Sequence, residues 1–406
     1  MVNRQPVFED RRNRQRVAVT GVGVVSAVGI GVEDYFDGLC GPALVGERRI
    51  TGFDAAGYYS NPKEARRADR FTQFAIAAAA EAIAQTGELD ADPSRCGTLI
   101  GTGVGGIATL EGEIKVLATR GPRRVSPFLV PMMMSNAASA AVSMRYGMKG
   151  PSESVVTACA AGTHAISAGA RLIADGRCDV VLAGGSEAPF TPTAVAGFAN
   201  MTALSSSGMS RPFDIGRDGF VMAEGAAVLV LEERNHAVDR EARILAEILG
   251  SASTADAHNI TAPAPGGRGA FECMRLALDD ASVQPDEVVH VNAHGTSTPL
   301  NDEAEAEALT RLFGVSPGPV VTSIKGVTGH ALGAAGALEA AAVVLSIQKK
   351  LIPPTTGINR FDPQLPPIRL VTDEPMHWEP GISISNSFGF GGHNGTLVIG
   401  PPDNLR

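Results

Sequence analysis

Short apolar runs alternate along the chain with segments in which small apolar residues recur at helical spacing. The β-branched run from Arg16 to Thr20 leads into the Gly-rich segment GVGVVSAVG, which reads as a turn. A helix with small apolar residues on nearly every face is predicted from Phe71 to Ala84, and a strand from Gly97 to Gly101. Such strand–helix alternation predicts parallel sheets covered by helices.

The second half of the chain repeats this order. The strand VVHVNAHGT precedes the helix DEAEAEALTRLF, the strand VVTSIKG, the helix ALGAAGALEAAAVVLSIQ and the segment ISISNSFGFGGHNGTLVIG. Each half opens with an apolar strand that runs into a Gly-rich loop and a helix. We therefore predict a polar N-terminal tail over 1–15 and two similar halves, 16–250 and 251–406, that share one core.

Composition excludes several classes of protein. Of 406 residues, 44% are hydrophobic and 19% charged, which allows a large core and excludes a disordered chain. The net charge of −9 argues against a nucleic-acid partner. The N-terminus lacks the apolar stretch of a signal peptide, and no apolar run approaches the roughly 18 residues that cross a membrane. The sequence therefore predicts a cytoplasmic protein without a membrane partner.

Cysteine is the first candidate for chemistry. Five cysteines without a CxxC pair argue against a disulfide framework and a structural zinc site. In TACAAGTH, the strand candidate SESVVT feeds a helix whose first residue is Cys159, and a helix N-terminus stabilises a thiolate. The alternative is a small buried apolar residue, and we prefer it for the other four cysteines.

Histidine and lysine follow two strands of the second half. In NAHGTSTPLND, His294 comes directly after the strand, at the strand end where α/β sheets form ligand sites. In SIKGVTGHALGAAGALE, Lys325 ends a strand, His330 starts a helix, and Glu339 is a candidate partner for Lys325. Lysine and histidine are costly to bury in such an apolar segment without partners. The alternatives are a loop-capping histidine and a surface lysine.

Two glycine-rich segments remain. The loop NSFGFGGHN, 386–394, offers free backbone N–H groups that can stabilise an oxyanion, although an ordinary turn between strands has the same composition. The segment GTGVGG, 101–106, satisfies GxGxxG after a strand. The acidic residue expected about 20 residues later is missing, so this match does not predict nucleotide binding.

Together these segments resemble one family, the β-ketoacyl-acyl carrier protein synthases. The motifs that carry the resemblance occur in the family's order: TACAAG, NAHGTSTPLND, SIKGVTGHALGAAG and NSFGFGG, with SRPFDIGRDGFVMAEGAAVLVLEE between the first two. The resemblance covers nearly the whole chain. It implies an α/β fold, the thiolase-like five-layered αβαβα sandwich of two similar halves, usually as a dimer, and an acyltransferase that needs no metal or other cofactor.

The resemblance also implies roles for single residues. Cys159 takes the acyl chain, His294 and His330 hold the malonyl thioester carbonyl, and Lys325 orients the two histidines. Glu339 is implied as a supporting residue that does not contact the substrate itself. Phe388 and Phe390 are implied as a gate, and the N–H groups of Cys159 and Phe390 as the oxyanion hole. The remaining implied residues are Thr296 and Thr298 on the phosphopantetheine arm, Phe128 and Met133 in the acyl pocket, and Lys63, Arg66, Arg67, Arg123 and Arg124 at the carrier-protein docking site.

One departure bears on the pathway. The segment LSSSGMSR, from Leu204 to Arg211, is several residues shorter than in the fatty acid enzymes. We therefore favour a ketosynthase of a type II polyketide or other secondary-metabolite pathway, with housekeeping fatty acid elongation as the alternative. A non-catalytic chain-length subunit normally lacks the nucleophile, so Cys159 argues against it. The expected partners are an acyl carrier protein and a second chain, in a homodimer or in a heterodimer with a similar subunit.

Overall fold

The computed structural model describes residues 14–315 and 318–402, so most of the predicted tail, 1–13, lies outside the described residues. The strands are β1 Val17–Ser26, β2 Gly29–Ile30, β3 Cys96–Gly101, β4 Ser152–Glu153, β5 Val180–Glu187, β6 Gly225–Glu233, β7 Ala246–Ala255, β8 Val288–Asn292, β9 Val320–Thr322, β10 Leu351–Ile352, β11 Arg369–Leu370, β12 Met376–His377, β13 Ile382–Gly389 and β14 His393–Gly400. The α-helices are α1 Val32–Leu39, α2 Pro62–Ala65, α3 Arg70–Thr86, α4 Ile107–Arg120, α5 Leu129–Met133, α6 Ala137–Tyr146, α7 Ala161–Ala174, α8 Pro192–Asn200, α9 Arg234–Asp239, α10 Arg268–Ala281, α11 Pro299–Phe313, α12 Lys325–Thr328 and α13 Ala335–Lys349.

The two halves repeat one strand order. Neighbouring strands run β1-β6-β5-β3-β4 in the first half and β7-β14-β13-β8-β9 in the second. In each half the first three strands pair antiparallel and the last pairs are parallel. The prediction of parallel sheets is therefore confirmed for the last pairs of each half and wrong for the first three strands. Antiparallel neighbours need no crossover helix, and β13 and β14 are joined by a short turn.

Helices form three layers around the strands. α3 packs on β1 and β6 on one outer side, α10 packs on β7 and β14 on the other, and α7 and α13 lie between the halves. Buried apolar clusters fill each of these interfaces. This is the predicted five-layered αβαβα sandwich.

The repeat also locates the division between the halves. β7 occupies the place in the second half that β1 occupies in the first, and the two strands pair antiparallel between Val17–Val19 and Ala246–Ile248. The predicted division at residue 250 falls inside β7. The repeat therefore places the start of the second half at Ala246.

The Gly-rich segment after Thr20 continues β1 and is not a turn. A Cβ at Gly21 would lie 2.2 Å from the Ala82 carbonyl oxygen, and one at Gly23 would lie 1.9 Å from that of Ala78. The two glycines thus let α3 pack directly on the strand.

Glycines also bring the two central helices together. A Cβ at Gly162 of α7 would lie 2.8 Å from the Ala337 nitrogen, and a Cβ at Gly336 of α13 would lie 2.0 Å from Thr163 Oγ1. The first turns of the helices therefore touch backbone to backbone. The residues just before α7 consequently lie beside those on and before α13.

The segment Leu332–Lys349, which includes α13, is long and apolar enough to cross a membrane by length and composition. Of this segment, 89% is buried inside the protein. Its apolar character is therefore explained by its place in the central layer, between the two halves.

Candidate active site

Cys159 lies in a turn that precedes the central helix. The predicted strand before it is confined to β4, and Cys159 belongs to the 3-10 turn Ala158–Ala160, so it is not the first residue of an α-helix. Ala158 has a φ of 49°, which is costly for a residue with a side chain. A Cβ at Gly389 would lie only 3.0 Å from the Cys159 nitrogen, so the end of β13 packs closely against this turn.

Burial dominates the chemistry of the thiol. Cys159 is 8% exposed, and desolvation raises the pKa of its thiol to about 11, although the charge of Lys325 and the backbone N–H of Phe390 oppose this rise. The thiol is therefore protonated at neutral pH. Desolvation in the buried turn thus opposes the thiolate stabilisation that the sequence suggested for the helix N-terminus.

Cys159 lies beside two histidines from the second half of the chain, His294 and His330. The thiol and one ring nitrogen each of His294 and His330 all lie within 4.8 Å of one another. The two imidazoles stand nearly perpendicular, with ring centroids 5.3 Å apart. All three residues line a cavity of about 550 Å³. The cluster combines a nucleophile with two imidazoles that face one substrate-sized space.

His294 is fixed by a buried carboxylate. Its backbone N–H and that of Gly295 donate to Glu305 of α11, both at 2.8 Å. Burial raises the pKa of Glu305 to about 7. Sequence reasoning missed this residue because DEAEAEALT carries acidic side chains on several faces of α11. Packing alone distinguishes buried Glu305 from exposed Glu303.

Lys325 connects His294 to Glu339. It begins α12, where the sequence suggested a strand end, and it is 1% exposed. Its Nζ donates to Glu339 Oε1, to the His294 carbonyl at 2.6 Å and to His294 Nδ1 at 3.3 Å. Because an ammonium group only donates, Nδ1 of His294 accepts and the neutral ring carries its proton on Nε2. The predicted pairing of Lys325 with Glu339 is present.

His330 offers an unused ring. It precedes the 3-10 turn Leu332–Ala334 and does not start α13, and its backbone is held by hydrogen bonds with Val221 and Ala223. Among the described residues neither ring nitrogen has a hydrogen-bond partner. Burial, and then the charge of Lys325, hold the pKa of both histidines well below the usual value. Two neutral imidazoles therefore face the thiol.

The site's other groups come from the end of β13 with the turn after it and from the segment after His294. Phe388 contacts His294, with ring centroids 5.9 Å apart, and the N–H of Phe390 approaches the thiol. The hydroxyls of Thr296 and Thr298 lie 2.8 Å apart and both line the cavity. These segments thus bring hydrogen-bond donors to the same cavity as Cys159 and the two histidines.

One thiol and two imidazoles also form a ligand set that zinc accepts. The Lys325 ammonium, 3.3 Å from His294 Nδ1, places a positive charge beside that set. A cation at this position would be repelled by Lys325. A site without metal or other cofactor therefore remains our prediction.

The remaining predicted residues lie outside the cavity of the single chain. Phe128 and Met133 do not line it; Phe128 is 38% exposed, and Met133 belongs to α5. The guanidinium of Arg67 lies 4.7 Å from the centre of the Phe128 ring. The five basic residues predicted for docking, Lys63, Arg66, Arg67, Arg123 and Arg124, are all exposed. The Arg67 contact joins their two segments on one surface.

Comparison with known proteins decides the family. The family model described as the β-ketoacyl synthase N-terminal domain matches residues 42–237, and that of the C-terminal domain matches residues 245–359. The chain belongs to the β-ketoacyl synthase family. The predicted class of enzyme, an acyltransferase of the ketosynthase type, is thereby confirmed.

Relatives of this synthase fall in two groups. It is 42% identical to 3-oxoacyl-acyl-carrier-protein synthase 2 of Synechocystis over 95% of this chain and 98% of that protein, and equally to the enzyme of Staphylococcus aureus. Among solved structures, a ketosynthase/chain length factor of ishigamide has a TM-score of 0.89 with 33% identity over 96% of this chain and all of that one. A type II polyketide ketosynthase, solved with its acyl-carrier protein and a bound hexaketide, has a TM-score of 0.87 with 30% identity over the same shares. These likenesses confirm the predicted fold.

Proposed function

We propose that this synthase carries out decarboxylative Claisen condensation of an acyl chain, held as a thioester on Cys159, with a malonyl group on acyl carrier protein. The observation that supports this proposal most strongly is the buried cluster of one thiol and two neutral imidazoles in a cavity of about 550 Å³. A thioester requires a nucleophile that is also a good leaving group, and a cysteine thiol is both.

In the first half-reaction, the sulfur of Cys159 attacks the carbonyl carbon of the acyl thioester. The bond to the carrier's phosphopantetheine sulfur breaks, and that sulfur leaves as the thiol with the proton that Cys159 gives up. The N–H groups of Cys159 and Phe390 stabilise the oxyanion. The approach of the Phe390 N–H to the thiol supports this role.

In the second half-reaction, the bond between the malonyl carboxylate and its α-carbon breaks and CO2 leaves. The electron pair forms an enolate, and imidazole N–H groups of His294 and His330 donate to its oxygen. The α-carbon then attacks the acyl carbonyl, and the sulfur of Cys159 leaves as a thiolate, which takes up a proton from solvent and returns to the thiol. Neutral imidazoles suit this step, and Lys325 sets the tautomer of His294 that donates through Nε2.

For the pathway we propose a type II polyketide or other secondary-metabolite system. The shortened segment, 204–211, supports this pathway because it lies next to the cavity: Met201, Thr202 and Ala203, which directly precede it, line the cavity. Its three serines donate hydrogen bonds to Asp218. Fatty acid elongation is the second candidate, supported by the 42% identity to 3-oxoacyl-acyl-carrier-protein synthase 2. In either case we place the enzyme in the cytoplasm. The intact nucleophile argues against a non-catalytic chain-length subunit.

Chain preference distinguishes the two pathways. We expect the purified synthase, supplied with malonyl-carrier protein and a panel of acyl-carrier proteins, to prefer polyketo or other specialised chains over saturated ones of increasing length. Mass spectrometry of the carrier-bound products gives the preference. A smooth preference for saturated chains of fatty acid length would assign the enzyme to fatty acid elongation instead.

We propose that Lys63, Arg66, Arg67, Arg123 and Arg124 form the docking surface for the acidic carrier protein. Charge reversal of Arg123 and Arg124 to Glu is expected to raise the half-saturating carrier concentration about tenfold and to leave kcat unchanged. Arg275→Glu is the control, on an arginine of α10 whose side chain is 41% exposed. Equal effects of both variants would contradict this surface.

We propose that a second ketosynthase-like chain, identical or similar, covers the apolar face on α4, α5 and α6. Large apolar side chains are exposed there: Ile114, Leu117, Phe128, Val130, Met134 and Met144. Such a face marks a protein interface. Phe128 and Met133 would then line an acyl pocket completed at the dimer interface. Light scattering of the purified chain, alone and with a similar subunit, tests the assembly.

A further inference from the structure

Glu187 is a buried carboxylate that the proposed chemistry leaves without a role. It is the last residue of β5 and is 0% exposed. Its Oε1 accepts hydrogen bonds from Thr102 Oγ1 at 2.8 Å and from the Val104 N–H at 3.2 Å. Its Oε2 accepts from the N–H groups of Gly103, at 2.6 Å, and Gly333, at 2.9 Å. Both oxygens are therefore fully used as acceptors.

These contacts explain the GxGxxG match in segment 101–106. The N–H groups of Gly103 and Val104, which would face a phosphate in a nucleotide site, point to an internal carboxylate instead. A Cβ at Gly103 would lie 2.7 Å from Glu187 Oε2, and one at Gly333 would lie 2.2 Å from the Gly103 nitrogen. The glycines are thus required for close approach to Glu187.

The same carboxylate joins two walls of the active-site cavity. Gly103 and Val104 line the cavity, and a Cβ at Gly101, just before this loop, would lie 2.3 Å from the carbonyl oxygen of Ala161, two residues after Cys159. Gly333 follows the cavity-lining Leu332 and comes three residues after His330. A shift of Glu187 would therefore move the segment that carries His330 and the loop beside the nucleophile at once.

We propose that Glu187 is a positioning residue that holds the 102–104 loop and the turn after His330 in one fixed relation, so that both half-reactions depend on it. This inference rests on the proposed function, because it concerns the geometry of that chemistry. Glu187 touches no reacting atom and acts through the backbones that it binds.

The role requires a carboxylate of this length. A carboxylate has two oxygens that only accept, whereas an amide replaces one of them with an N–H donor group. In Glu187→Gln that donor must face a backbone N–H, either that of Val104 or those of Gly103 and Gly333. Glu187→Asp keeps both acceptor oxygens on a side chain one methylene shorter. It therefore retains the charge and part of the hydrogen bonding to the two backbone segments.

Rates of the separate half-reactions test the proposal. In Glu187→Gln we expect acyl loading of Cys159 and CO2 release from malonyl-carrier protein both to fall about 100-fold in kcat, with little change in half-saturating carrier concentration. Glu187→Asp is expected to recover part of both rates. Rates are measured on folded protein, well below the unfolding temperature of each variant.

Glu232→Gln is the matched control. Glu232 is also fully buried, in β6, where it binds Thr20 and Arg240. It pairs with Val180 at the start of β5, whereas Glu187 ends that strand, so the Cα atoms of the two glutamates lie about 23 Å apart. Rates in Glu232→Gln are expected within twofold of wild type. Equal losses in Glu232→Gln, or an Asp variant no faster than the Gln variant, would overturn the positioning role.

Hydrogen exchange supplies a measurement that does not depend on turnover. In Glu187→Gln we expect peptides covering 98–110 and 329–338 to lose protection together, while peptides of α7 keep it. Loss of protection in only one of the two peptides would contradict the proposal that Glu187 holds both segments. An inactive wild type would count against the proposed function, whereas an active wild type with unchanged Glu187→Gln rates would count against this inference alone.

Discussion

His330→Ala is expected to lower CO2 release from malonyl-carrier protein about 100- to 1,000-fold, while acyl loading of Cys159 falls far less. Removing one preorganised donor from a developing oxyanion costs about that factor. His330 is suited to this role because neither of its ring nitrogens has another partner among the described residues. The measurement follows CO2 release and the mass of the acyl-enzyme separately.

His290→Ala is the matched control for that experiment. His290 lies on β8, four residues before His294, and is likewise buried with an unpartnered Nε2 within the described part of the chain. It packs against Trp378, with ring centroids 5.5 Å apart, and does not line the cavity. Normal CO2 release in His330→Ala, or an equal loss in His290→Ala, would contradict the assignment.

Lys325→Ala is expected to have the largest effect on stability as well as on activity. The substitution leaves Glu339, 1% exposed, without its ion-pair partner and removes two hydrogen bonds to His294. Breaking a buried pair by removing one partner costs about 3–5 kcal/mol. Both half-reactions should also fail, because the tautomer of His294 is no longer fixed.

Urea denaturation compared with a surface lysine tests this expectation. Lys349 of α13 pairs with Glu33 at 2.5 Å, and these side chains are 31% and 74% exposed. Lys349→Ala is expected to change the free energy of unfolding by about 1 kcal/mol or less. Similar losses of stability in the two variants would contradict the structural importance of the buried pair.

The sequence predicted the chemical residues better than their local structure. Cys159, His294 and His330 stand in short motifs that the structure brings to one cavity, and Lys325 contacts His294. Cys159 proved to lie in a 3-10 turn, and Lys325 proved to begin a helix. Such short elements depend on contacts from distant segments, such as Gly389 against the turn of Cys159.

Two buried carboxylates, those of Glu187 and Glu305, could not be predicted from the sequence, in contrast to that of Glu339. Glu187 ends an apolar strand and Glu305 belongs to a helix with several acidic residues, so neither differs locally from a solvated glutamate. Their role arises from backbone N–H groups of distant loops, which become neighbours only in the folded chain. The same limit applies to the thiol of Cys159, whose pKa is set by burial against the direction suggested by the following helix.

The repeat of the two halves was predicted in outline and not in its strand directions. Alternation of strands and helices indicated two similar halves. The matching spatial orders β1-β6-β5-β3-β4 and β7-β14-β13-β8-β9 bear this out. Hydrophobic patterning does not distinguish a parallel neighbour from an antiparallel one when both faces of a strand are buried.

Intact-mass analysis of the wild type and Cys159→Ala, after incubation with acyl-carrier proteins of different chains, tests the central claim most directly. Each protein is also measured after hydroxylamine treatment, which cleaves thioesters. We predict a mass gain equal to the acyl group in the wild type alone, reversed by hydroxylamine. An equal gain in the Cys159→Ala variant, or none in a folded wild type supplied with a similar partner subunit, would contradict Cys159 as the nucleophile.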